Sequence, residues 1–426
     1  MTTAPHNLAQ WLQFIDAGHS AEIDLGLSRI QPVADRLGLL APWAMPIITI
    51  AGTNGKGSTV ALMRALAAAN GLRVGCYTSP HFQAYNERVN IAGVDVSDEQ
   101  LCRAFTAVEA ERNAVGVTLT YFEYGTLAAL WLFRQHPLDL LLLEVGLGGR
   151  LDAVNLIDSD VAVVTTVALD HQSWLGNDRE SIGREKAGIC RPGKPLVYGE
   201  RDMPQSVAAV CREQQAPVLR WGTDFAPQKQ ANSWSWFGVD AQGQALEFGG
   251  LPLPQLPLPN AATAIQALLL AGVELNAAAI CTGIESARLT GRMQQVYLQG
   301  RELLLDVAHN PHAAEYLATR LREVAGRRWC VVGMLADKDI PATLQALIGR
   351  IDHWLPVGLE VPRGASVEVL AEQLAEQSLT PQSDVAAALE WALARSQVGD
   401  QILITGSFYT VAAALDWIAE RTDGVG

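Results

Sequence analysis

The stretch Pro46-Ile-Ile-Thr-Ile-Ala-Gly-Thr-Asn-Gly-Lys-Gly-Ser-Thr-Val60 decides how the first half of this chain folds. Its β-branched run, Ile47 to Ile50, reads as a buried strand, and the residues from Ser58 to Ala69 fit a helix. Between them lies a glycine-rich turn. Strand, glycine loop, lysine, hydroxyl and helix, in that order, wrap backbone N–H groups around a polyphosphate, and the helix N-terminus adds partial positive charge. In that layout Lys56 reaches the terminal phosphates and Ser58 can ligate Mg²⁺, so ATP or a close relative is the expected ligand. The spacing departs from the common P-loop pattern, because Gly57 separates Lys56 from Ser58 and Ile50 stands where the first glycine would be. A plainer reading is a strand-to-helix turn with a surface lysine. Lysine is scarce here (Lys56, Lys186, Lys194, Lys229 and Lys338 against many arginines), which favours the phosphate reading.

The chain has 426 residues, enough for two domains with sizeable cores. Half of it is apolar, yet no apolar run reaches the roughly 18 residues of a membrane span. Met1 to Gln10 lacks a signal-peptide apolar region. The cysteines at 76, 102, 190, 211, 281 and 330 form no CxxC pair, which fits reduced thiols in cytoplasm better than disulfides or zinc. A net charge of −14 argues against nucleic acid or an anionic membrane as partner, while leaving room for a small anionic substrate held by local arginines. Nothing suggests an extended interface, so a monomer is expected.

Strand-like runs at Ile47–Ile50, Leu72–Tyr77, Leu138–Glu144 and Val161–Val167 alternate with helical stretches at Val60–Asn70, Asp98–Glu111, Phe122–Gln135 and Ser181–Ala187. This is the pattern of an α/β fold, a parallel sheet covered on both faces. Leu196 to Leu256 is richer in Gln, Trp, Ser and Gly and reads as a small antiparallel insert, followed by a helix from Asn260 to Gly272. A second, smaller Rossmann-like α/β unit begins near Glu302, with strands at Leu303–Asp306, Trp329–Gly333 and Gln401–Thr405 and a helix at His312–Val324. The expected hinge lies at Leu289–Gln294. Ligands are expected outside the carboxyl ends of the strands.

Residues just past strands therefore carry the chemistry. Glu144 ends a very apolar strand, where a carboxylate is costly unless paired or bound to a metal. The glycines after it admit close backbone approach, and Arg150 offers a forked donor; the plain alternative is a buried Glu144–Arg150 ion pair. His171 could serve a metal site, touch a phosphate, or be a hydrogen-bonded core histidine. Ser79 could give Mg²⁺ a hydroxyl, although Ser79-Pro80 is also an ordinary turn start. Asp306 could accept hydrogen bonds from a ribose, with His309 and Asn310 facing the cleft. Its plain alternative is a helix N-cap.

Together these segments resemble the folate branch of the Mur ligase superfamily. The resemblance rests on Ala51-Gly-Thr-Asn-Gly-Lys-Gly-Ser58, Thr78-Ser-Pro-His81, Leu119-Thr-Tyr-Phe-Glu-Tyr-Gly-Thr126, Glu144-Val-Gly-Leu-Gly-Gly-Arg-Leu-Asp-Ala-Val-Asn155 and Leu169-Asp-His171 in the first half. Gly183-Arg-Glu-Lys-Ala-Gly188, Pro259-Asn-Ala-Ala262, Gly291-Arg-Met-Gln294 and Asp306-Val-Ala-His-Asn-Pro311 continue it in family order. Thr290-Gly-Arg-Met stands in place of the family's more usual Pro-Gly-Arg-Phe, and Asn113 to Val117 differs in spacing.

The resemblance implies an ATP-binding central domain over 1–290, a hinge over 291–300 and a C-terminal glutamate-ligase domain over 301–426. It implies that Thr53, Asn54, Gly55, Lys56, Gly57 and Ser58 hold the ATP phosphates, and that Asn260, Arg292 and Asp306 contact the nucleotide. Two Mg²⁺ ions would be held by Ser58, Ser79, Glu144, His171 and Lys186, the last after carbamylation, and a monovalent cation is a further possibility. Lys56, Glu144, His171 and Lys186 would then serve catalysis. Asp24, Leu25, Gly26, Thr120, Tyr121, Phe122, Glu123 and Leu151 would line a pteroate pocket. The implied reaction is ATP-dependent ligation of L-glutamate to dihydropteroate and to reduced folates through an acyl phosphate. One of these two activities alone, a ligase for a cell-wall peptide precursor, and a nucleotide-binding switch without ligase activity are the competing readings.

Overall fold

The computed structural model describes residues 5–21 and 23–422, so of the stretch Met1–Gln10 the first four residues lie outside the described ones. The chain divides into two units, Met1–Arg288 and Leu289–Gly426. Among the described residues the first unit is built on eight strands: β1 (Ile47–Ala51), β2 (Val74–Tyr77), β3 (Val89–Ile91), β4 (Val94–Asp95), β5 (Leu140–Glu144), β6 (Val161–Val164), β7 (Leu196–Tyr198) and β8 (Val218–Arg220). They lie in the order β4-β3-β2-β5-β1-β6-β7-β8. From β2 to β8 every pairing is parallel, and β3 and β4 extend the edge antiparallel. β1, β5 and β6 are buried at every residue, as uninterrupted apolar strands covered by helices on both faces must be. Ile50 stands opposite Glu144 and Tyr77 opposite Leu143, so the carboxyl ends of β2, β5 and β1 open side by side.

The antiparallel insert is smaller than Leu196–Leu256. β7 and β8 belong to the main sheet, joined by the amphipathic helix Gln205–Glu213, whose buried face is Ser206, Val207, Val210 and Cys211. Only β9 (Ala226–Lys229), β10 (Ser233–Val239) and β11 (Ala245–Pro252) form the separate antiparallel sheet. Three-residue strands carry too few side chains to show a period, which hid β7 and β8 from the sequence. The small sheet docks on the helix Leu258–Leu270: the indole of fully buried Trp236 donates to the Ala262 carbonyl at 3.1 Å. Buried Gln266 on the same helix hydrogen-bonds both backbone groups of Val239.

In the second unit β12 (Gln294–Leu298), β13 (Arg301–Leu305), β14 (Arg328–Val332), β15 (His353–Pro356) and β16 (Gln401–Thr405) take the order β12-β13-β16-β14-β15. All pairings are parallel except β12 with β13. Most of 291–300 is thus committed to β12 and its hairpin turn. β13 stops at Leu305, which makes Asp306 the first residue past the strand. The helix that follows runs Pro311–Arg320 with Asn310 as its N-cap, accepting from Ala313 N at 2.9 Å. The cap is therefore Asn310 and not Asp306. Asn310 is buried in that role.

Candidate active site

The phosphate loop starts where β1 runs out. Gly52 has φ +151, and a Cβ there would stand 1.8 Å from the Thr165 hydroxyl, so the turn admits only glycine. That hydroxyl is spent on the Asn54 carbonyl at 2.6 Å, while Asn54 N donates to Thr166 Oγ1 at 2.9 Å and Thr53 N to the Thr166 carbonyl at 2.9 Å. The loop is thus laced to the segment after β6, a set of contacts the sequence reading missed. Gly55, in the left-handed region at φ +86, caps the helix Lys56–Ala69 without a side chain, leaving the first-turn N–H groups to a ligand. Lys56 Nζ reaches the Gly52 carbonyl at 2.9 Å and the Thr53 carbonyl at 3.4 Å. Asn260, expected at the nucleotide, does sit on this loop, with Nδ2 3.4 Å from the Gly55 carbonyl.

Next to it, Ser79 and Glu144 meet: the Ser79 N–H donates to Glu144 Oε2 at 3.2 Å, and Glu144 is 4% exposed. The hydroxyls of Ser58 and Ser79 carry no hydrogen bond among the described residues. Lys186, on the helix Arg179–Ala187, is 4% exposed, and among the described residues its ammonium has neither an ion-pair nor a hydrogen-bond partner. Burial first, then the nearby charge of Lys56, pushes its pKa down to about 7, against the opposing pull of Asp170 and Asp152. His171 adopts φ +50 ahead of the short helix Gln172–Leu175, and its N–H donates to Asp170 Oδ1 at 2.9 Å. Among the described residues no three His, Cys, Asp or Glu side chains gather as a metal site. Besides the Glu144 carboxylate, Ser58 and Ser79 present open hydroxyls and Lys186 a buried amine without a partner among the described residues.

Two side chains of the glycine-rich segment after β5 do other work. Arg150 pairs with Glu185 at 2.9 Å near the surface, so neither the Glu144 pairing nor an open anion donor describes it. Asp152, to which the sequence reading gave no role, is 3% exposed and accepts from Leu147 N and Val154 N at 2.9 and 3.0 Å; burial lifts its carboxyl to about 6. Leu151 beside it is half-buried.

The segments 24–26 and 120–123 are drawn together by Arg29, which sequence reasoning overlooked. Its guanidinium donates to Asp24 Oδ2 at 2.5 Å, to the Asp24 carbonyl at 2.9 Å and to Glu123 Oε1 at 2.9 Å. His19 adds a contact to Asp24 at 3.2 Å. Thr120 and Glu123 form a capping box at the helix Tyr121–Arg134, each side chain binding the other's backbone N–H, so both are buried structural groups and not open lining. Half-buried Tyr121 and Phe122, with Leu25 and Gly26, are left to meet a ligand.

In the second unit, Arg292 lies over the Phe408 ring, 5.0 Å from its centroid, and Asp306 accepts from Met293 N and Ala308 N at 3.0 Å each. Burial raises the Asp306 carboxyl and Arg292 opposes the rise. His309, near the same ring, is fixed by an Nδ1–H bond to the Val307 carbonyl at 2.8 Å. Phe408 follows the strand end at Gly406-Ser407, and nothing in its own sequence context marked it.

Residues 291–408 match the Mur ligase, glutamate ligase domain. The dihydrofolate synthase/folylpolyglutamate synthase of Escherichia coli (strain K12) is 47% identical over 98% of this chain and 97% of its own, and that of Haemophilus influenzae is 38% identical over 95% and 96%. Among solved structures, E. coli FolC in complex with DHPP and ADP superposes with a TM-score of 0.93 at 46% identity, covering 99% of this chain and 100% of its own. A bifunctional folylpolyglutamate synthase/dihydrofolate synthase with Mn, AMPPNP and L-glutamate bound gives 0.90 at 47%, covering 98% and 99%. A phosphate loop on a parallel sheet, joined in one chain to that second domain, defines a ligase of the Mur type. Within it, this chain belongs to the dihydrofolate synthase/folylpolyglutamate synthase family.

Proposed function

We propose that this enzyme joins L-glutamate to 7,8-dihydropteroate and adds further glutamates to reduced folates, at the expense of ATP. The observation that carries the reading is the alignment of three neighbouring strand ends: Ser79 past β2, Glu144 at the end of β5 and the phosphate loop past β1. ATP phosphates and a substrate carboxylate can meet there. A carboxylate oxygen attacks the γ-phosphorus, the bond to ADP breaks, and an acyl phosphate forms. The amine of glutamate then attacks the carbonyl, loses a proton, and inorganic phosphate leaves with the C–O bond electrons. No protein nucleophile is needed; positioning and charge neutralisation supply the rate.

Thr53 to Ser58 hold the phosphates in this reading, with Asn260, Arg292 and Asp306 on the nucleotide. Asp24, Leu25, Gly26, Tyr121, Phe122 and Leu151 take the pteroate, while Thr120, Glu123 and Arg29 hold that pocket's shape. Ser58, Ser79, Glu144, His171 and Lys186 would hold two Mg²⁺ ions, which when bound neutralise phosphate charge. An amine whose pKa lies near 7 is partly neutral at physiological pH, and neutral amine is the form that takes up CO₂. That supports carbamylation of Lys186. Six scattered cysteines with no CxxC pair support work in a reducing cytoplasm, and no helix among the described residues is long and apolar enough to cross a membrane. The working form is a monomer, to be checked by sedimentation.

The test is Mg·ATP-dependent incorporation of labelled L-glutamate, with dihydropteroate and tetrahydrofolate offered in parallel. Incorporation into both is expected. Incorporation into one would halve the reading, and incorporation into neither, with ATP still bound, would leave a nucleotide-binding switch.

A further inference from the structure

Beside the Ser79–Glu144 pair, a buried guanidinium and two phenols gather, and among the described residues no carboxylate is paired with them. Arg88 is 9% exposed, and Nε donates to His81 Nδ1 at 2.8 Å. Its guanidinium carbon lies 5.2 Å from the ring centroid of Tyr85 and 5.6 Å from that of Tyr121. Among the described residues no carboxylate forms an ion pair with it. Nearby Glu87 spends its carboxylate on the N–H groups of Phe82, Gln83 and Ala84, each at 2.8 Å. His81 accepts through Nδ1 and is held below the ordinary histidine pKa by burial and by Arg88, so it brings no compensating negative charge.

Two phenols point into the same place. The Tyr77 hydroxyl, on a residue 1% exposed, lies beside Thr126 and Arg88 and makes no hydrogen bond of good geometry among the described residues. A Cβ built on Gly125 would stand 2.4 Å from the Tyr85 hydroxyl and 2.8 Å from that of Tyr77, so the bare glycine is what lets both approach. The Thr126 hydroxyl is spent on the Phe122 carbonyl at 2.9 Å. A buried guanidinium without an anion is costly, and one cation with convergent phenol donors is a receptor for a carboxylate.

We propose that this nest binds the α-carboxylate of a glutamyl group already attached to the folate substrate, the group that tetrahydrofolate carries and dihydropteroate lacks. The inference rests on the function proposed above and adds Arg88 to it as a residue that discriminates between the two substrates. Position argues for it. Tyr77 ends β2, Ser79 follows two residues on, and the Arg88 carbonyl accepts from Thr78 N at 2.9 Å. The ATP phosphates belong to the loop past β1, with β5 between it and β2. The reacting γ-carboxylate must keep its nucleophilicity, which an arginine pair would blunt. The α-carboxylate is a spectator whose charge still has to be met.

The test is a cycle between protein and substrate. Initial rates are measured for wild type, Arg88→Met and Arg88→Lys with three acceptors: tetrahydrofolate, its analogue carrying 4-aminobutyrate in place of glutamate, and dihydropteroate. Arg88→Met should raise KM for tetrahydrofolate roughly tenfold to a hundredfold, as loss of a charged hydrogen bond does, with a smaller change in kcat. Wild type acting on the analogue should show the same rise, and Arg88→Met on the analogue no further one. Arg88→Lys should recover part of the loss, and KM for dihydropteroate should move least. Independent, additive losses, or equal losses on tetrahydrofolate and dihydropteroate, would overturn the proposal. Should Arg88→Met fail to melt cooperatively, Tyr77→Phe and Tyr85→Phe run the same cycle with smaller shifts. Wild type inert toward both natural acceptors would count against the ligase reading itself.

Discussion

The first unit builds its sites in two different ways. At Gly52–Ser58 the walls are backbone: carbonyls, N–H groups and a helix start, fixed by glycine conformations and by Thr165 and Thr166 behind them. At Lys186 the working group is a buried charge without a partner among the described residues, and where Arg29 joins Asp24 to Glu123 it is a charge cluster that links distant parts of the chain. Backbone sites fail through shape, and charge sites fail through electrostatics. The two should therefore break under different perturbations.

The largest effect is expected at Gly52. Gly52→Ala puts a methyl where the Thr165 hydroxyl sits and asks alanine to hold φ +151. The strain costs about 1–3 kcal/mol, and relief by loop movement would displace the groups that grip the phosphates. Turnover should fall by about two orders of magnitude or more, roughly in proportion to ATP affinity, as misplacement of positioning groups by an ångström does. Titration with a fluorescent ATP analogue checks it. The double variant Gly52→Ala, Thr165→Ala sharpens the result: recovery would assign the defect to the side-chain clash, and persistence to the backbone.

Much of this loop was legible because its chemistry is local. Ile47–Ile50, the glycines and Lys56 are neighbours in sequence, and a strand-to-helix turn leaves its residues in a fixed order. The end of β5 was legible for the same reason, a carboxylate after an unbroken apolar run. Arg29 was not, since nothing around it says that its guanidinium will span to Glu123, 94 positions away. Glu123 misled in the opposite sense: it sits in a conspicuous motif, yet its carboxylate is consumed by the Thr120 capping box and by Arg29. Phe408 and Arg88 likewise acquire meaning only from what folds against them. The short strands β7 and β8 were lost to the insert because a helix crossover between strands of three residues leaves almost no pattern.

Lys186 offers an intermediate effect that a backbone site cannot show. Its pKa, pushed from 10.5 to about 7, means that between those values the unfolded chain binds more protons than the folded one. Stability must then rise with pH across that window, by up to about 1.4 kcal/mol per unit for this one group. In CO₂-free buffer, Lys186→Met should be more stable than wild type, most so at or below about pH 7, with the advantage shrinking as the amine loses its proton in both states. Paired chemical denaturation at several pH values measures it. A constant advantage would mean that the ammonium is paired in solution.

The smallest effect is expected at Arg29, and it separates shape from charge within one pocket. Arg29→Lys keeps the charge but cannot fork, so one of Asp24 and Glu123 loses its partner. Arg29→Met removes the guanidinium from both, leaving Asp24 with His19 and Glu123, whose pKa burial already raises, with its Thr120 contacts. KM for the pteroate or folate substrate should rise roughly tenfold in the methionine variant and about half as far on a logarithmic scale in the lysine variant, the range of one or two charged hydrogen bonds. KM for ATP should stay where it is, because the phosphate loop takes nothing from Arg29. Were both KM values to move together, the Asp24–Arg29–Glu123 link would be a general brace of the unit, and the separation between a backbone-built and a charge-built site would not hold at this end of the molecule.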